Sequence, residues 1–151
     1  MPVPSNSTPS GRQIEEIGEG LLSGSLPKAC WTHEAHCLAT LYLIKARPDL
    51  DLPTQMPRII RRYNEAVGTA NSDTGGYHET LTQFYLKAIG GYLVHQADGL
   101  EIEAASARVL ASAIGQRDFP LTYYSRERLF SLEARRGWVE PDLRPLDVCA
   151  L

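Results

Sequence analysis

The sequence predicts an all-α fold, a single-domain bundle of five to six helices. Three observations predict it. Apolar residues recur at three- and four-residue spacings in successive segments, glycines and prolines punctuate the joins, and no segment alternates convincingly with period two.

Ile14, Ile17, Leu21 and Leu22 share one face, which places a first helix over about residues 12–23, stopped by Gly24 with Pro27 beyond. Thr32 is a suitable N-cap for a second helix, His33 to Ala46, closed by Pro48. Asp51 and Thr54 compete to cap a third. It runs to about Val67 with Ile59, Ile60, Tyr63 and Ala66 on one side and Arg58, Arg61, Arg62 and Glu65 on the other. Residues 68–76 are a loop by composition. A fourth helix is expected from about Tyr77 to His95, weakened by Gly90 and Gly91, and a fifth from Glu101 to Ile114. After Phe119-Pro120, Ser125 caps a last helix of about ten residues that Gly137 ends. Pro141 to Leu151 is expected to lie along the surface.

With 43% hydrophobic and 22% charged residues in a chain of 151, one domain with one sizeable core is expected. Residues 1–11 read as a flexible tail and 12–151 as the domain. A net charge of −3 offers no basic surface for nucleic acid or anionic lipid. No apolar run suits a membrane span or a secretory leader. Cys30, Cys37 and Cys149 are odd in number and fit no zinc spacing, so reduced thiols and a cytoplasmic setting are the expectation.

The histidines carry the functional reading. On a helix His33 and His36 project about 60° apart, one turn along the same side, and the rest of that helix is apolar nearly all round, which buries it. On the fourth helix His78 falls within about 20° of Tyr85 and Ile89, hence inward, with Glu79 at the border of the apolar face. Two histidines at i, i+3 with a third from a facing helix suit a divalent metal, zinc first among them, with Glu79 or water in a fourth position. Glu34 is set aside: it lies about 160° from His36, and His33-Glu-Ala-His36 lacks the four-residue spacing of the zinc-protease helix. The plainer alternative has three buried histidines satisfied by Thr40, Asn64, Tyr85 or backbone carbonyls.

Trp31-Thr-His-Glu-Ala-His36, Tyr77-His-Glu-Thr-Leu-Thr82 and the stretch from Tyr124-Ser-Arg-Glu-Arg-Leu-Phe-Ser131 to Pro141-Asp142 resemble a group of short, mostly uncharacterised bacterial and fungal helical proteins. The resemblance runs from about Trp31 to Leu146. That group is similar in turn to the fungal cyclopenases, metal-dependent enzymes with a haemocyanin-like helical fold that contract a benzodiazepinedione epoxide to a quinolone. It implies His33, His36 and His78 as metal ligands, with Glu79 beside them.

Two readings follow. In the first, a small zinc-dependent enzyme works on a small organic molecule by Lewis-acid or metal-bound-water chemistry. Glu79 is then proton acceptor or fourth ligand, and Tyr124, Tyr85 or Arg62 positions the substrate. Cys37, one turn after His33, is a lesser candidate as nucleophile. In the second, the chain is a non-catalytic helical interaction module whose metal or buried histidines only fix the fold.

Overall fold

A computed structural model describes residues 8–151 of the chain, so most of the expected tail lies outside the described residues. Ser10 and Gly11 belong to the domain. Ser10 caps α1 (Gly11–Ser23) through a reciprocal box, its Oγ accepting from the Gln13 N–H at 3.1 Å while Gln13 Oε1 accepts from the Ser10 N–H at 2.9 Å. Gly24, at φ 77°, ends the helix.

The remaining helices are α2 (His33–Ala46), α3 (Leu52–Ala66), α4 (Glu79–His95), α5 (Ile102–Ala111), α6 (Arg126–Leu129) and α7 (Leu132–Arg136), with single 3-10 turns between several of them. None of the described residues forms a strand, and no helix among them is long and apolar enough to cross a membrane. The single C-terminal helix expected after Ser125 is two, because Ser131 caps a fresh start: its Oγ accepts from the Ala134 N–H at 3.1 Å.

Helices α2 and α4 are apolar on most sides because each is packed on two faces. From α2, Leu38, Ala39, Tyr42 and Leu43 enter a cluster with α1 and α3, while Cys37 and Leu41 enter a second with α4, α5 and the C-terminal segments. From α4, Phe84, Tyr85, Ala88 and Ile89 serve the second cluster and Leu86 the first. Helices α1 and α3 cover one side only, which is why they alone keep a clean polar face. Pro57 inside α3 has no N–H for the Pro53 carbonyl, and Gln83 of α4 supplies the missing donor at 2.9 Å.

The C-terminal segment lies along the surface, as expected, and is fastened to α4. Gln96 Nε2 donates to the Cys149 carbonyl at 3.1 Å, and Leu146 and Leu151 pack on the core. Val148 sits so close to Gly91 that a Cβ there would come within 2.3 Å of the valine Cβ, whereas one on Gly90 meets nothing. The two adjacent glycines are therefore expected to answer alanine in opposite ways. Gly90→Ala should stabilise the protein by about 0.5–1 kcal/mol through helix propensity. Gly91→Ala should push the C-terminal hook off α4 and expose it to carboxypeptidase. Digestion rates and urea midpoints of the two variants check this, and equal behaviour would contradict it.

Candidate functional site

Helix α2 begins where Thr32 Oγ1 accepts the Ala35 N–H at 3.1 Å, which sets His33 and His36 in its first turn. The edge of the Tyr85 ring from α4 meets both imidazoles, at centroid distances of 5.7 Å and 5.3 Å. Trp31, just before the helix, meets His36 edge-on at 5.5 Å. From there the two histidines diverge.

His36 opens on a cleft of about 430 Å³ bounded by Lys28, Trp31, Asn64, Tyr77, His78 and Thr82. Burial holds its pKa down to about 4, with a small further push from His33 and no hydrogen bond to oppose it. The ring is thus neutral at pH 7 and lines the cleft.

His33, half-buried, borders a different and larger cavity between α1 and α2. Its pKa is lowered by burial first and by the Arg117 charge among the smaller influences, and its Nε2 lies 3.8 Å from Cys37 Sγ.

His78 departs from the helical-wheel expectation. It is the residue before α4, in extended conformation at φ −134°, and it caps the helix. Its Nδ1 accepts the Leu81 N–H at 3.1 Å, which requires the proton on Nε2, and Nε2–H donates to the Leu129 carbonyl at 2.8 Å. Burial keeps the ring neutral by lowering its pKa. No lone pair remains for a metal. Among the described residues no three His, Cys, Asp or Glu side chains come together to hold an ion. The expected zinc site of His33, His36 and His78 is therefore not assembled, and the set does not fit the metal. His78 is buried, as the wheel expects, but the wheel began α4 two residues too early, and the ring took the backbone-carbonyl alternative.

The other expected residues are also placed elsewhere. Glu79 is half-buried and accepts the Tyr77 hydroxyl proton in a short bond, so its carboxylate is engaged beside the cleft. Tyr77 is pushed up by burial and by that bond. Tyr124 has no exposure; its hydroxyl donates to the Val139 carbonyl at 2.7 Å and its ring packs on Phe84, which makes it a core residue. Arg62 is exposed and reaches the Leu22 carbonyl at 3.5 Å across a separate shallow groove. Cys37 is fully buried with its thiol pushed up to about 12 by desolvation, so it has no nucleophilic form at neutral pH.

The loop beside the cleft is fastened by a relay of carboxamides centred on Asn71. Asn71 Oδ1 accepts from Asn64 Nδ2 at 2.9 Å and from the Tyr77 N–H at 3.0 Å, and Asn71 Nδ2 donates to the Arg61 carbonyl at 3.2 Å. The Gly76 turn, at φ 77°, closes so tightly on Asn71 that any side chain would collide with it. Arg135 from α7 binds the Gly76 and Tyr77 carbonyls at 3.3 Å and 3.2 Å. The loop 68–76 is legible as a loop, but its one asparagine, Asn71, and its closing glycines carry no sequence signal of the wiring to Asn64.

Comparison with family models, with curated proteins and with solved structures finds no match for the chain.

Proposed function

We propose that the protein takes a small organic molecule into the His36 cleft and that His36 acts there as hydrogen-bond and proton acceptor. The observation that carries this reading is a neutral imidazole with no hydrogen-bond partner for its ring among the described residues, set in an aromatic-walled cleft. A cleft of about 430 Å³ is within the range that holds small ligands. Trp31 and Tyr77 offer flat apolar walls, and Asn64 adds a buried carboxamide.

An imidazole with pKa near 4 is a weak base toward water. Negative charge developing on a bound molecule beside it raises that value, so proton transfer is favoured only as the reaction proceeds. Lys28, the ammonium at the cleft edge, offsets the same developing charge. The molecule that fits this chemistry is uncharged on entry and carries an acidic C–H, N–H or O–H. The metal-dependent enzyme implied by the family resemblance is thus replaced by a metal-free proton-transfer reading. The second reading, a helical module whose histidines only fix the fold, is favoured by one observation, the capping role of His78.

Diethyl pyrocarbonate separates the two, since it acylates an accessible unprotonated ring nitrogen. At pH 5.5, where ordinary histidines are largely charged, His36 is expected to react readily and His78 to be spared. A molecule bound in the cleft should then protect His36. If peptide mapping shows His36 unmodified in the folded protein at pH 7, its nitrogens are closed off and the proposal fails.

A further inference from the structure

We infer that the larger cavity, between α1, the 25–32 segment and α2, is a second ligand site, built for a small cation with an apolar body. The inference goes beyond the His36 cleft and does not depend on it. The cavity holds about 830 Å³. Its floor is apolar: Leu26, Ala35 and Leu38 are buried beneath it and Ile17 is half-buried at its side. Its size matches sites for molecules well above the size of water or a simple ion.

The shape is specified locally. A Cβ on Gly20 would stand 3.0 Å from the Leu26 Cβ, so glycine lets the 25–27 segment fold back on α1, where the Ser25 and Leu26 amides bond the Gly20 carbonyl at 3.0 Å and 3.1 Å.

Charge selects the class. Glu16, Glu19 and Glu34 border the cavity against one basic side chain, Arg117. Glu19 is shared with Arg47 behind it and Glu16 with the solvent-exposed Arg12, while Glu34 has no ion-pair partner among the described residues. A carboxylate beside a low-dielectric wall gains from a ligand cation what water no longer supplies there. An ammonium on an aryl or alkyl body satisfies floor and border together; a carboxylate ligand is repelled by the majority charge.

Three probes with one arene and different head groups test this on the full chain: 2-phenylethylammonium, 2-phenylethanol and phenylacetate, followed by 1H–15N spectra. The ammonium is expected to bind saturably, shifting the amides of Ile17, Gly20, Leu26 and Leu38, and to weaken as salt rises from about 20 to about 200 mM. Replacing both exposed carboxylates, Glu16→Gln with Glu34→Gln, should weaken it roughly tenfold while the spectrum stays folded. Phenylacetate binding as well as the ammonium, no loss in the double variant, or shifts confined to Asn64 and Thr82 of the other cleft would each overturn the inference.

Discussion

His78→Ala is expected to lower the unfolding free energy by about 3 kcal/mol, the largest single loss among the site residues. Three contributions act together. The cap on the Leu81 amide is worth about 1 kcal/mol. Loss of the Nε2–H bond leaves the Leu129 carbonyl without its partner, about 1 kcal/mol more. Removal of a ring that is only 7% exposed leaves a void of similar cost. For a chain of this length the sum lowers Tm by roughly 10 °C. His78→Asn restores a side-chain acceptor for the cap and should recover about 1 kcal/mol, but not the link to Leu129. Urea midpoints of wild type, Ala and Asn variants give the ladder. Added zinc is expected to shift none of them. A variant within about 0.5 kcal/mol of wild type, or a zinc-dependent wild-type midpoint, would return His78 to the role of metal ligand.

Acid is expected to destabilise the protein from about pH 6.5 downward. His33, His36 and His78 all have lowered pKa values in the fold, desolvation being the chief cause in each. The unfolded chain therefore binds protons near the ordinary 6.5 while the folded protein still refuses them. Wherever the unfolded state holds more protons, stability falls as pH falls. The stability is full above about pH 6.5 and drains below it, and the His36 share is exhausted near pH 4. At about 1.36 kcal/mol per unit that share is a little over 3 kcal/mol, reduced to about 2 by solvent reaching the half-buried ring. Asp49 and Asp142 act later: their values are depressed, so what they contribute is lost only below about pH 3.8. Midpoints at pH 7.5, 6.5, 5.5 and 4.5 should trace the decline, and His36→Phe should flatten it by the His36 share. An unaltered slope in that variant would assign the proton uptake elsewhere.

The limits of what could be read from sequence are clearest in the fourth helix. The face of Tyr85 and Ile89 is inward as expected, because the 3.6-residue period over seventeen positions is insensitive to where the helix begins. His78 stood at that beginning. Two residues of error turned a supposed inward ligand into a capping acceptor, and helix starts are set by which side chain wins the first free amides. An imidazole is an unusual winner. The uniformly apolar α2 correctly announced burial, yet burial alone does not say whether a histidine faces a cleft, a cavity or a carbonyl.

The helical class, the N-cap at Thr32, the stops at Gly24 and Pro48, and which helices lie inside are all legible along the chain, since they follow from local propensity and from one-dimensional patterning. That His33 and His36 open on different spaces, that Tyr124 and Arg62 stand away from both, and that His78 ties α4 to the Leu129 carbonyl emerges with the packed fold. Side-chain direction around a helix is periodic and readable. The identity of the partner at the end of that direction depends on segments fifty residues distant, and chain pattern carries no record of them.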